Sequence, residues 1–530
     1  MRWIDETLKL RPAASGLPLR IGVWLEQLQG LPWMEETIRS LRATPGLELA
    51  AVFLREDAPA ESAPPLLQRW YHRRNLQAAG GENPLRPVDL RPALEGITLQ
   101  HQVAHAEALA LDVMVYLGHR LPSCECAPLA RYGLWSLGLG EPGGPLYFYE
   151  LAGRTAVSSL LLYAHTGHTS HGRVLYQYQS ATRCTWSSAV NAIEPLSMAP
   201  VILIRRLLDV QQAGTEASCW KGEIVPLPPR PSRANPSLWA LLSLITVYLF
   251  RYAGRRLLAL RGDAKWFVCY RPHRNAARFD AAGFRAVPNP PGASYADPFL
   301  FEHEGRTHLF VEEIVTATSR GHCSACEILP DGSLTPFTTV LQTPYHLSYP
   351  CVFKTNDGIF MIPETADRRT VQLHRAAPFP QQWPLEKVLF SDVLFVDTTP
   401  FFHEGVWYLF TGTVEEVSGQ WLETWLFTAD QLEGPWHYHP CNPICSDVRR
   451  ARPAGHLFYR DGKLIRPGQD CTVRYGYALT LSHVVQLSPT MYEEKLVEVI
   501  LPDWMPGIFA THTLNAGGGY EVIDATRLPS

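Results

Sequence analysis

What this chain lacks narrows it first. It carries no excess of either charge: 47 Lys and Arg against 51 Asp and Glu give a net −4. A nucleic-acid partner, which calls for a basic face, is therefore not expected. It has no disulfide framework, because eleven cysteines is an odd number at irregular spacings. Cys323-Ser-Ala-Cys326 is a lone pair without the second pair a four-ligand zinc site needs, and Cys124-Glu-Cys126 is too close for ordinary pairing. No metal is expected. The opening MRWIDETLKLRPAASG has no apolar core of the kind a signal peptide needs. Free thiols without an export signal predict a cytoplasmic protein. No low-complexity tract interrupts a composition of 46% hydrophobic and 18% charged residues, and 530 residues exceed a single core.

What is present divides the chain in three. Over residues 1–225, Arg20–Leu25 reads as a buried strand, about Trp33 to Ala43 as a helix, and Leu47–Phe53 and Leu111–Leu117 as further strands. That alternation predicts a parallel sheet with crossover helices, a Rossmann-type α/β domain. No G-x-G-x-x-G follows the first strand, so the usual phosphate cradle of a dinucleotide site is missing. Over 226–262 a Pro-rich linker, PLPPRPSRANP (226–236), precedes LWALLSLITVYLF (238–250), thirteen residues without a charge, and then Arg251, Arg255, Arg256 and Arg261. A bilayer span needs about 20 apolar residues. The segment is therefore a helix buried against a domain, or an interfacial helix with a basic flank and peripheral membrane contact.

From 263 to 530 one phrase recurs. Tyr295-Ala-Asp-Pro-Phe-Leu-Phe301, Ser348-Tyr-Pro-Cys-Val-Phe353, Thr398-Thr-Pro-Phe-Phe402 and Arg452-Pro-Ala-Gly-His-Leu-Phe458 each run through a Gly turn into a second apolar strand. Their prolines at 298, 350, 400 and 453 lie 52, 50 and 53 residues apart. A weaker fifth copy, Phe509–Leu514, precedes Gly517–Gly519. Hairpins at a period near 50 predict a β-propeller. Innermost strands then begin around one channel and bring together Asp297, Ser348 with Tyr349, Asp397, Arg452 and His512. Second strands end in Glu312, Glu313, Glu364, Gln469, Asp470 and Asp524. Carboxylates with an arginine and a histidine in one funnel suit a sugar: two act as acid and base, the others hold hydroxyls. Asp-Pro turns and backbone-capping carboxylates would give the same residues no function. Their variation from copy to copy favours a site. The 15 Trp and 21 Tyr offer flat faces for sugars, although packing in a β-rich core accounts for most of them.

Two resemblances extend this reading. LDVMVYLGHRLP (111–122), GLWSLGLGEPGGP (133–145) and HGRVLYQ (171–177) resemble, in order, the formyl-tetrahydrofolate-dependent formyltransferases over roughly 18–215. Ser136 falls at that family's asparagine, Gly138 at its histidine and Ser170 at its aspartate. The resemblance implies the fold with its known chemistry lost, and formyl-tetrahydrofolate as cofactor only if the domain is active. His165, His168 and His171 lie nearby as substitutes in principle. Over 265–530, SYPCVFKTNDGIFMIPET (348–365), VDTTPFF (396–402) and GPWHYHPCNPI (434–444) resemble the propeller domain of glucosamine inositolphosphorylceramide transferases. In that family a separate glycosyltransferase domain follows, which is not expected within these residues. YADPF (295–299) resembles the five-bladed family 43 glycoside hydrolases. That likeness implies Asp297 as base, Glu364 or Asp397 as acid, and His512 near the channel axis holding a water or ion. Tyr349 stands where those hydrolases carry an aspartate. Arg452, with Arg466 and Arg474, is expected to bind an anionic group such as phosphate, and Asp470 to bind substrate. The expectation is a carbohydrate-active protein that binds and transforms a glycan, sugar-lipid or nucleotide-sugar. Its rivals are formyl or acyl transfer to an amino sugar by the first domain, and glycan binding without catalysis.

Overall fold

The computed structural model describes residues 9–527 apart from 14–15, 55–65, 79–83, 101–105, 107, 119–129, 141–145, 166–170, 227–236, 260–263, 275 and 415–420. Most of the expected linker, with His168, Ser170 and Arg261, lies outside the described residues. The chain divides after Gly254 into two compact units.

The first unit is built on β1 (Leu19–Leu25), β2 (Leu47–Leu54), β3 (Leu99–Gln100), β4 (Val113–Leu117), β5 (Leu134–Leu139), β6 (Val157–His165), β7 (His171–Ala181) and β8 (Ile224–Pro226). They form one sheet in the order β8-β7-β6-β5-β4-β1-β2-β3. Pairing is parallel from β3 to β5 and antiparallel from β5 to β8. Strands β1 and β4 are apolar and buried almost throughout, as a doubly covered parallel sheet requires. Helix α1 (Pro32–Ala43) starts on a proline that needs no amide partner and buries Trp33, Met34, Thr37, Ile38 and Leu41. Helix α2 (Ser188–Ala213), capped by the Ser187 hydroxyl, is buried along most of its length. Helix α3 (Leu238–Ala259) contains the charge-free run. Leu241 and Leu244 pack into a cluster with Tyr71, Phe148 and Leu151 of this unit. The expected α/β sheet is present, while kinship to formyltransferases rests on the sequence resemblance alone.

The second unit is a five-bladed β-propeller. Four sheets follow one another in sequence, opening with Ala293–His303, Ser348–Thr355, Phe395–His403 and Arg452–Pro453. The fifth is composite: Lys265–Pro272 pairs along its whole length with Tyr520–Arg527, which also holds Leu514–Gly517, so early and late chain close the ring in one sheet. Inner hairpins turn at Glu304-Gly305, Glu404-Gly405, Asp461-Gly462 and Gly518-Gly519, all with positive φ at both residues. Two left-handed residues match the right-handed twist of the flanking strands, which is why acid-Gly or Gly-Gly stands there. Aromatic and aliphatic side chains fill the wedges between blades, with Phe299, Phe310, Cys351 and Trp383 between the first two, and Tyr408, Phe410 and Leu464 between the third and fourth.

Three blades share a feature that the repeat concealed. The first strand is bulged after Ala296, Ser348 and Val396, which pair with Glu312, Glu364 and Gly412. The next residues, Asp297, Tyr349 and Asp397, have φ of 46°, 48° and 51°. A left-handed non-glycine residue costs roughly 1–2 kcal/mol, and such strain collects at functional sites. The bulge aligns Pro298 and Pro350 with Thr398, so Pro400 is two residues out of structural register. The proline spacing found the blades but misplaced the third by that amount.

Candidate functional site: a charged cavity where the inner strands begin

Polar groups from every blade except the third meet at one cavity of about 430 Å³, a usual size for a small-ligand site. Asp297, Glu364, Arg452 and His512 line it together, with Glu312, Ser348, His346, Trp266 and Tyr475. Asp397 does not. Its carboxylate, 1% exposed, lies beneath Arg452, taking Nε at 2.5 Å and Nη2 at 3.2 Å, and accepts from Gln469 Nε2 at 3.1 Å. Arg452 pairs directly opposite Gln469 in the fourth sheet, and its Nη2 also reaches Glu364 at 3.3 Å. Asp397 thus positions Arg452 and is corrected from acid to support. The Asp397 carboxylate also compensates the charge of Arg452, so the expected phosphate hold on this arginine is weakened.

Burial, and next the Asp397 carboxylate, push Glu364 well above the usual carboxylate range, against the pull of Arg452. Burial thus favours the protonated form of Glu364 where it faces the cavity, the form a general acid needs. Asp297 is raised to about 7, chiefly by burial, although His512 opposes the shift. Its oxygens are engaged: Oδ1 accepts from Thr513 Oγ1 at 2.6 Å and lies 3.4 Å from His512 Nε2, and Oδ2 accepts from the Tyr349 amide at 3.2 Å. Asp524 is the hub behind them. It accepts from the amides of Asp297, His512 and Thr513 and faces His512 Nδ1 at 2.7 Å. Burial would discharge His512, but Asp524 and Asp297 overcome it and raise the imidazole to about 9. Trp266 stacks on the His512 ring at 3.9 Å and Tyr475 meets its edge at 5.3 Å, while the Arg452 guanidinium lies 5.0 Å from the Tyr475 ring centre.

Ligand atoms of Asp297, His512 and Asp524 lie within 4.8 Å of one another, a spacing that would suit a cation. Both imidazole nitrogens face carboxylates, however, and the ring is held protonated. A metal would need the imidazole to give up that proton and one of these partners. As arranged, the three form an ion network whose cation is the histidine itself.

Three other expected binders do not reach the cavity. The Tyr349 ring is buried edge-on against Phe299, and its hydroxyl bonds Thr399 Oγ1 and takes the Gly455 amide, both at 2.8 Å. Arg466 is buried in a bidentate pair with Glu494 at 2.7 and 2.8 Å. Asp470 caps the amide and hydroxyl of Thr472. Burial removes Tyr349 and Arg466 and a local turn occupies Asp470, none of which the repeat encodes. Trp266, Tyr475 and His346 were not anticipated, because they lie outside the repeated phrase. Of the histidines weighed as substitutes in the first unit, His165 is sealed against Ser136 Oγ at 2.7 Å and pushed down to about 4 by burial, and His171 is exposed, while His168 lies outside the described residues. A second cavity of about 290 Å³ lies at the hairpin end of the propeller, on Arg271, Arg274, Arg278 and Arg460, with none of the expected residues.

The site now has a family context. Residues 282–530 match the family model described as glucosamine inositolphosphorylceramide transferase 1, N-terminal. Similar proteins bear that transferase's name in rice (japonica), 33% identical over 257 residues, 45% of this chain and 34% of the relative, and in Arabidopsis thaliana, 37% identical over 211 residues, 38% of this chain and 27% of the relative. The chain thus spans about a third of the length of the curated relatives it matches. Among solved structures, an exo-β-1,3-galactanase from Clostridium thermocellum overlaps 47% of this chain and 63% of its own at 13% identity and a TM-score of 0.34. A family 117 glycoside hydrolase from Zobellia galactanivorans overlaps 50% and 91% at 10% identity and 0.32. Overlaps this loose bear no weight. The blade count rests on the strand pairing above.

Proposed function

We propose that the propeller is carbohydrate-active, binding a glycan, sugar-lipid or nucleotide-sugar in the 430 Å³ cavity and transforming it with Glu364 as proton donor. One observation carries this reading: Glu364, whose protonated form burial favours, opens onto a single cavity that also presents Arg452, His512 and the rings of Trp266 and Tyr475. Sugar hydroxyls suit such paired carboxyl, guanidinium and aromatic surfaces, and a glycosidic oxygen leaves more easily when protonated. The match to a glucosamine inositolphosphorylceramide transferase supports a sugar-lipid or its sugar donor as ligand. Asp297 titrates in the range of a base, but its engaged oxygens favour a holding role. That engagement also favours a second reading, in which the cavity binds a glycan without transforming it.

The test is incubation of the purified protein with a panel of nucleotide-sugars, inositolphosphoryl-lipid acceptors and oligosaccharides, comparing wild type with Glu364→Gln and Asp297→Asn. Acid catalysis contributes roughly 10²–10⁴-fold, so Glu364→Gln should abolish measurable turnover while ligand still binds. Binding without turnover in the wild type would establish the second reading. No saccharide binding by any protein in the set would defeat both. Formyl-tetrahydrofolate with an amino sugar serves as a further arm, and turnover there would return the chemistry to the first unit.

A further inference from the structure

The smaller cavity, of about 290 Å³, shares no residue with the larger one. Its walls are the segment that follows Lys265–Pro272 in the fifth sheet, the turn around Gly517 and Gly519, and the strand Phe458–Arg460 of the fourth. The first wall is fastened at several points. The Arg271 side chain, 3% exposed, pairs with Glu521 and donates to the carbonyls of Asp280 and Ala282 at 2.6 and 2.7 Å. The His273 amide donates to the Gly519 carbonyl at 2.8 Å, and the Phe279 amide to Glu498 Oε1 at 2.8 Å. Arg274 and Arg278 lie between these ties and line the cavity, so little backbone freedom remains to be lost when a ligand arrives.

The ties leave one positive charge over. Of the four guanidinium groups that line the cavity, those of Arg271, Arg274 and Arg460 are answered by Glu521, Asp280 and Glu498. Arg278 is exposed and has no hydrogen-bonding or carboxylate partner among the described residues. The Arg274–Asp280 pair is half exposed on both sides, and such pairs are worth so little that Arg274 is free to turn to a second anion. Phe279, Phe458 and Tyr459 bring rings to the same cavity, and Tyr459 is 60% exposed.

We propose that this cavity binds a small phosphate-bearing molecule with a flat body, a nucleoside monophosphate in its simplest form, with the phosphate at Arg278 and Arg274 and the base against Tyr459. Guanidinium forks match phosphate oxygens, and bases stack on exposed aromatic rings. The volume stands at the small end of ligand sites, which suits a compact molecule and not a long glycan. A neutral saccharide would leave the surplus charge unanswered, and a net charge of −4 gives no basic face for a nucleic-acid polymer. The site stands apart from the reading given to the larger cavity and does not depend on it.

The test is isothermal titration of the full chain with inorganic phosphate, uridine monophosphate, uridine and glucose phosphate. Uridine monophosphate should bind most tightly and weaken with salt, inorganic phosphate should bind less tightly, and uridine should give no measurable heat. Arg278→Ala should lower affinity for the nucleotide by roughly tenfold or more, the cost of a hydrogen bond to a charged group. Tyr459→Ala should lower it by roughly fivefold or more and leave glucose phosphate unaffected. Both side chains are exposed, so melting temperatures should be unchanged. Absence of binding by every phosphate compound at millimolar concentration, or equal binding by Arg278→Ala, overturns the proposal. Glucose phosphate binding as tightly as the nucleotide overturns the flat body and assigns the cavity to a sugar phosphate.

Discussion

Removing Arg452 is the sharpest perturbation the structure offers. Its side chain is 7% exposed and stands between Asp397, 1% exposed, and Glu364. Replacement by alanine removes the counter-charge of the Asp397 carboxylate in a low-dielectric site, where Gln469 still donates to it. Deleting one partner of a buried ion pair costs roughly 3–5 kcal/mol, because the other charge is left uncompensated. At roughly 2–4 °C per kcal/mol for a domain of this size, the propeller should melt about 6–20 °C earlier. The sign with pH follows from the carboxylates. Glu364 is already raised in the folded state against the pull of Arg452, and loss of that pull raises it further. A carboxyl raised on folding destabilises in full above its folded value and sheds that cost as pH falls from there to its unfolded value. The deficit of Arg452→Ala should therefore be largest near pH 7.5 and shrink toward pH 5. Urea unfolding of both proteins at the two pH values measures it. Arg452→Met with Asp397→Asn, which removes both charges, should recover at least half of the loss. A deficit below about 1 kcal/mol, or one that is the same at both pH values, would refute the buried triad.

Other perturbations separate the cavity from its supports. Tyr349→Phe loses two hydrogen bonds in the core and should cost about 1–3 kcal/mol while leaving saccharide binding unchanged, as isothermal titration would show. His512 is raised to about 9 against a usual value near 6.5, so its contribution is complete below 6.5 and lost as pH rises through 9. His512→Gln should therefore flatten the fall in wild-type stability between those values, read from melting curves across the range. A methyl group at Gly455, where φ is 133°, would lie 2.2 Å from the Leu514 carbonyl oxygen. Gly455→Ala should destabilise by about 3 kcal/mol or more in chemical denaturation, since backbone cannot step aside.

Much of this was legible in the sequence. The period near 50 residues announced the blades, because hairpin, turn and hydrophobic wedge must recur wherever a blade recurs. Asp297, Glu364, Arg452 and His512 were found because the position facing the channel is fixed relative to the repeated phrase. Asp397, Tyr349, Arg466 and Asp470 sat at related positions and were read alike, yet each is turned to a partner inside the protein. Whether a polar group at a strand end meets solvent or an internal ion depends on the depth of its neighbours, which no single repeat contains. Trp266 and Tyr475 illustrate the converse. They reach the cavity from the closing strand and a connecting loop, where no periodic signal exists. In the first unit the alternation of strand and helix was enough for the parallel strands. It gave no warning that His165 would be spent on Ser136.

The composite fifth sheet has a consequence for how the cavity comes into being. His512 and Asp524 belong to the last part of the chain, and Asp524 fastens the Asp297 backbone of the first blade. During synthesis four blades can emerge and stack before either residue leaves the ribosome. Only when Tyr520–Arg527 docks beside Lys265–Pro272 does the imidazolium take its place between two carboxylates. Ring closure and site assembly are one event, so a propeller that has not latched carries no competent cavity.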